Sequence, residues 1–303
     1  MVHSLEGHWH GYFSRELEPA LTIDPGDTVR FKTLDSGWGA EPYAGGAYAP
    51  RRRVDHADND EGHALTGPVA IRGARAGMTL RIDIGELRPG AWGAVCAGGW
   101  LSAWNERLGV VGDGIVHAYQ LDAATMTGCS HLGHTVALRP FLGVMGLPPD
   151  KPGRHSTVPP RACGGNLDCR ELVTGSTLYL PIEVDGALFS CGDGHAAQGD
   201  GEVAGTALEC PMERAELTFE LSDLELTTPI ARGADGSWIT LGVHEDLDEA
   251  AFSALDAMLE LLEREYGLAR RDALAIASVH VDLRVTQLVN EVRGVHAVLR
   301  DWR

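Results

Sequence analysis

The chain has 303 residues, with 43 acidic against 25 basic side chains and a formal net charge of -18. That length supports one large domain or two closely packed ones, and the negative balance repels nucleic acid and anionic bilayers at long range, so neither is expected as a partner. The opening MVHSLEGHWHGYFSREL has no basic stretch leading into an apolar one, and no later segment offers the roughly 18 uninterrupted apolar residues of a membrane span, so a cytoplasmic location is expected.

Through residues 1 to 240, glycine and proline recur at short intervals between brief apolar or alternating runs, the rhythm of a β-rich fold. Ala20 to Ile23 meets the turn Asp24-Pro25-Gly26-Asp27, and Thr28 to Leu34 then alternates as a half-buried strand does, which reads as a hairpin. The same device recurs twice. Val69 to Ile71 and Met78 to Ile84 flank Gly73 to Gly77, and Ser176 to Val184 passes through Asp185-Gly186 into Ala187 to Ser190. Many short strands must bury their apolar faces against a second sheet, so the expectation is a mainly β sandwich or jelly-roll-like fold with a C-terminal α+β portion.

Two portions are expected, residues 1–150 and 151–303, packed intimately as one unit. Past residue 245 the period changes: Phe252, Leu255, Leu259 and Leu262 recur at helical spacing after Asp246, with Gly267 as a C-cap. A second helical run from Asp272 to His280 leads into an alternating strand from Leu283 to Val289. The six cysteines contain no Cys-x-x-Cys pair and suit a reduced compartment, as small buried hydrophobes.

The densest polar constellation is Ser190-Cys191-Gly192-Asp193-Gly194-His195-Ala196-Ala197-Gln198-Gly199-Asp200-Gly201-Glu202. On an extended backbone residues i and i+2 share a side, so Asp193 with His195, and Gln198 with Asp200 and Glu202, can each face one cleft. Imidazole with carboxylates suits a divalent ion, and a carboxylate left off the metal can take a proton from water. An acidic, glycine-rich surface loop is the competing reading. Cys163-Gly164-Gly165-Asn166-Leu167-Asp168, the strand-end acid Asp35, and the His/acid run Asp55 to His63 are weaker candidates. No Gly-x-Ser-x-Gly, HExxH or phosphate-loop motif and no convincing dinucleotide fingerprint occurs, which leaves metal-assisted hydrolysis standing.

Gly164-Gly165-Asn166-Leu167-Asp168, Thr174-Gly175-Ser176-Thr177-Leu178-Tyr179-Leu180-Pro181 and Asp193 to Glu202, in this order and spacing, resemble the central signature of the acetamidase/formamidase family. The likeness extends to Leu65-Thr66-Gly67-Pro68, Asp24 to Asp27, Asp282 to Gln287 and Gly294 to Val298, and so spans nearly the whole chain. It implies hydrolysis of a small primary amide to a carboxylate and ammonia, a β-rich fold with a metal at or near the active site, and a homo-oligomer, expected to be a dimer. Carried over by motif, the polar pocket comprises Asp35, Asn166, Asp168, Asp193, His195, Gln198, Asp200 and Glu202.

Within it the expected metal ligands are Asp35, Asp193 and His195, with Asp200 as a further ligand, for zinc first and calcium second. Glu202 is the expected general base with Asp168 as second choice, and Asn166 and Gln198 orient the amide. Gly194, where the family commonly has a larger residue, Cys169, where it has a polar one, and the stretch from Arg139 to Gly146 depart from the pattern and leave substrate identity open. The rival readings are a hydrolase of a lactam or an amide-bearing secondary metabolite, with Trp92, Trp100 and Trp104 in its pocket, and a metal-stabilised small-molecule binder without catalysis.

Overall fold

The structure, a computed structural model, describes residues 1–300. Among the described residues the strands gather into a nine-stranded sheet, a twelve-stranded sheet and a two-stranded ribbon. The two large sheets share one core. Phe31 and Phe219 come from the nine-stranded sheet and Phe189 from the other, and their rings meet edge to face with centroids 5.0 to 6.3 Å apart. Both sheets mix strands from before and after residue 150, so neither half of the chain forms a sheet by itself.

The three expected hairpins are corners instead. Strand Leu21–Ile23 pairs with Leu65–Ile71 in the twelve-stranded sheet, whereas Thr28–Phe31 pairs with Val2–Leu5 and Met212–Ser222 in the nine-stranded one. Likewise Leu65–Ile71 and Thr79–Pro89 lie in different sheets, as do Thr177–Pro181 and Phe189–Ala197. The turn residues reverse the chain as read, but the strand that follows finds its hydrogen bonds across the sandwich. Two corners also brace each other, through Ile71 N to Gly186 O and Gly186 N to Ala74 O at 3.0 Å each.

The C-terminal portion covers one end of the nine-stranded sheet. Helix Leu247–Tyr266 starts at Asp246, whose carboxylate accepts from the Asp248 and Glu249 amides, and stops at Gly267 with φ 67°. It buries Ala250, Ala254, Met258 and Leu262 against the strands Trp238–His244 and Val292–Leu299. A Cβ on Gly242 would stand 2.1 Å from the Ala250 carbonyl, so glycine is what lets helix and strand approach this closely. Phe252, expected on the apolar stripe, is 65% exposed; small alanines take the packed face beside it. Helix Arg270–His280 then runs into the hairpin of Val281–Asn290 and Val292–Leu299 at the sheet edge.

Two features of this frame position the site. Strand Phe189–Ala197 is buried along all but its last residue, between Phe141–Gly146, Leu65–Ile71 and Leu208–Glu209. The loop after it is tied to the C-terminal hairpin, because Gly201 N donates to Thr286 O and Gly201 O accepts from Leu288 N.

Candidate functional site

Asp193 and His195, two residues apart on the buried strand, point to the same side. His195 is fully buried, and its Nε2 lies 3.3 Å from Asp193 Oδ2 and 3.3 Å from Glu209 Oε1. Glu209 arrives from the neighbouring strand, where it stands opposite His195 in the antiparallel register. Asp168 and Glu202 complete the cluster: ligand atoms of Asp168, Asp193 and His195 lie within 4.8 Å of one another, as do those of His195, Glu202 and Glu209.

The surroundings orient these groups. His195 Nδ1 pairs with Gln198 Oε1 at 2.9 Å, an acceptor that fixes a proton on Nδ1 and turns Nε2 into the cluster. Gln198 Nε2 in turn donates to the Asp168 carbonyl at 2.9 Å. Asn290, from the C-terminal hairpin, donates to Asp168 Oδ2 at 2.5 Å and to Glu202 Oε2 at 3.4 Å. Phe141 meets His195 edge to face at 5.0 Å and closes the apolar side.

Backbone strain concentrates here as well. Asp168, Asp193 and Glu202 have φ of 51°, 55° and 45°, the left-handed region that side chains other than glycine seldom adopt. Such conformations cost roughly 1–3 kcal/mol each and persist where surrounding structure over-determines them, a pattern that gathers at functional sites.

Charge sets the chemistry. Burial drives the Asp168 carboxyl far up, and neighbouring Glu202 adds to this. Burial likewise pushes Glu202 to about 7 and Glu209 to about 8, against the pull of His195. For Asp193 burial is overcome by His195 and His63, which hold its carboxyl below the usual range. His195 itself is raised well above the usual imidazole value, because the Glu209 and Asp193 carboxylates outweigh the cost of burying its charge. Four buried carboxyls around one imidazole cannot all ionise on their own, so they must share protons or a cation.

The same residues fit a divalent cation. His195 Nε2 and Asp168 Oδ1 are buried polar atoms with no hydrogen-bond partner, and both face the cluster. Gly143 keeps the space between them: a Cβ there would lie 2.5 Å from Asp193 Oδ2, 2.7 Å from His195 Cε1 and 2.9 Å from Asp168 Oδ1. One imidazole with carboxylates is a ligand set for zinc and similar ions. Outside the cluster, Glu202 and Gln198 line a cleft of about 480 Å³ with Arg139, Arg170, Tyr119 and Leu208.

Of the residues singled out from the sequence, Asp168, Asp193, His195 and Glu202 come together directly, and Gln198 braces two of them. Asn166 is buried with its Nδ2 on the Val158 carbonyl and its Oδ1 unpartnered. Asp35 is buried too, but its oxygens are engaged by the Arg51 guanidinium and the Gly39 amide, and Arg51 is stacked over Tyr43. Asp200 lines the same cleft as Glu202 but stands outside the cluster, paired with Arg284, whose Nε donates to Oδ2 at 2.8 Å. Trp100 and Trp104 line a neighbouring groove with Ala204 and Gly205 rather than this cleft, and Trp92 lies under Arg51. Glu209 and Asn290 were not anticipated: neither sits in a motif, and each reaches the site only through strand pairing.

The family model described as the acetamidase/formamidase family matches residues 2–155 and 153–225. A formamidase of Methylophilus methylotrophus is 23% identical over 254 residues, covering 65% of this chain and 60% of that protein. An acetamidase of Mycolicibacterium smegmatis is 26% identical over 261 residues, covering 66% and 62% respectively. The chain therefore aligns over about 60% of the length of these curated relatives. The crystal structure of an acetamidase from Bacillus halodurans superposes with a TM-score of 0.86 at 28% identity, covering 99% of this chain and 97% of that one.

Proposed function

We propose that this chain, which belongs to the acetamidase/formamidase family, hydrolyses a small primary amide to a carboxylate and ammonia. The observation that carries the reading is the buried cluster of Asp168, Asp193, His195, Glu202 and Glu209 beside a cleft that Glu202 also lines. His195 Nε2 with Asp193 and Asp168 would hold a divalent ion, for which zinc is the first candidate. When bound, such an ion supplies Lewis acidity to a carbonyl oxygen and acidifies water.

The chain's own residues divide the remaining work. Glu202 faces both the cleft and the cluster, so its carboxylate accepts the proton of the attacking water and returns it to the nitrogen, because an amine leaves poorly unless protonated. Asn290 holds Glu202 and Asp168 in place through one amide nitrogen. Gln198 is occupied by His195 and the Asp168 carbonyl, so its part is to set the imidazole tautomer rather than to bind substrate. Asn166, held by the Val158 carbonyl, does not line the cleft, so no contact with the amide is assigned to it.

The test is ammonia release from formamide, acetamide, propionamide and a small lactam, with the protein as purified and after chelation, with metal content measured in parallel. Release from the linear amides that vanishes with the metal and returns with zinc is expected. Hydrolysis of the lactam alone would move the substrate to cyclic amides, and bound metal with no hydrolysis of any amide would overturn the reading.

A further inference from the structure

The residue after Asp168 opens a second polar nest, which the amide chemistry leaves unused. Cys169 and His296 are fully buried and Glu171 is 8% exposed. Glu171 Oε2 lies 3.6 Å from Cys169 Sγ and 3.3 Å from His296 Nε2. The ligand atoms of all three residues fall within 4.8 Å of one another.

His296 is the informative member. Its Nδ1 is paired with Thr286 Oγ1 at 2.8 Å, while its Nε2, sealed from solvent, has no hydrogen-bond partner and faces the carboxylate. The other oxygen of Glu171 accepts from Arg284 Nη1 at 2.6 Å, which aims Oε2 at the thiol and the imidazole. Zinc bond lengths of about 2.3 Å to sulfur and about 2.0 Å to nitrogen and oxygen, at tetrahedral angles, require S···O and N···O edges of about 3.5 and about 3.3 Å. The nest has both of these edges, and its third, Sγ···Nε2, lies within 4.8 Å.

We propose that Cys169 Sγ, Glu171 Oε2 and His296 Nε2 form a second, thiolate-containing zinc site, distinct from the Asp168, Asp193 and His195 cluster, with a small ligand such as water completing it. Cys169 and Glu171 belong to the loop that carries Asp168, and His296 to strand Val292–Leu299 of the C-terminal hairpin that carries Asn290. A metal here pins the loop to the hairpin and thereby fixes Asp168 against its donor. The site does not rest on amide hydrolysis: it stands or falls on metal binding alone.

Cobalt(II) distinguishes the two centres, because a cysteine ligand adds a thiolate-to-cobalt absorption band in the near ultraviolet that a centre of imidazole and carboxylates lacks. The full chain, stripped by chelation and reloaded with cobalt without air, is expected to show the band and to bind one equivalent more metal than Cys169→Ser, which lacks the band. Cys129→Ser, an exposed thiol, and Cys210→Ser, a buried one, are expected to keep it. His296→Gln, which removes a nitrogen ligand and leaves every thiol, is expected to lose the extra equivalent and serves if Cys169→Ser folds poorly. A wild-type protein with no thiolate band, or a band that survives Cys169→Ser or disappears only in Cys210→Ser, would overturn the site.

Discussion

Two nests of ligating side chains meet at the Asp168–Cys169 peptide, and they handle charge in opposite ways. The Asp168 side gathers four carboxyls and one imidazole, with an asparagine as donor but, among the described residues, no arginine bound to any of the four, and it adjoins a cleft. The Cys169 side has one carboxylate, one imidazole and one thiol, with Arg284 on the carboxylate. Several carboxyls that must share protons or a cation next to a cleft favour metal binding and proton transfer, whereas a sealed nest with an arginine on its one carboxylate favours holding two chain segments together.

The comparison breaks most readily on the cleft side. His195→Ala and Glu202→Gln are each expected to lower turnover a hundredfold or more, the usual cost of losing a ligand or a proton-transfer group. Ammonia release measures this, and full activity with unchanged metal content would remove these residues from the chemistry. Gly143→Ala sharpens the contrast, since its methyl falls among Asp193, His195 and Asp168. Turnover and metal retention in that cluster are expected to drop about 5- to 150-fold, for overpacking of roughly 1–3 kcal/mol, while the cobalt–thiolate band of the other nest persists.

Asn290→Ala removes the donor shared by Asp168 and Glu202 and is expected to cost about 1–3 kcal/mol in urea unfolding, with a fall in kcat larger than any rise in KM. On the sealed side, in protein stripped of metal, burial raises the Glu171 carboxyl, but His296 and Arg284 outweigh it and hold the group at about 2. A carboxyl depressed below its unfolded value of about 4.5 contributes stability above that pH, which is lost as pH falls towards 2. The stability gap between wild type and Glu171→Gln, measured by urea titration across pH, is therefore expected to be full at pH 6 and to narrow below about pH 4.5. Phe252→Ser, far from both nests on the exposed side of helix Leu247–Tyr266, is expected to shift stability by no more than about 0.5 kcal/mol.

Much of the cleft-side nest was legible because Asp193, His195 and Glu202 lie within ten residues on and after one strand, where extended spacing alone puts i and i+2 on a common face. Asp168 entered through its motif. Glu209 could not be seen, since Leu208-Glu209-Cys210 has no distinguishing pattern and its value comes from standing opposite His195 in the sheet register. Asn290 is 88 residues from Glu202 and meets it only through the edge hairpin. For Asp35 and Asp200, sequence offered two more carboxylates of the right type, but Arg51 and Arg284 reach them first.

The sequence by itself determined the mainly β character, the positions of the turns, the helix from Asp246 to Gly267 and the family, because these follow from local φ preference, hydrophobic period, capping chemistry and contiguous motifs. Only the tertiary structure decided that the three apparent hairpins are corners between sheets, and which carboxylates meet the imidazole and which meet arginine. Strand partners and ion pairs are chosen among groups far apart along the chain, by burial and by competition for hydrogen bonds, and no local pattern encodes the outcome of that competition.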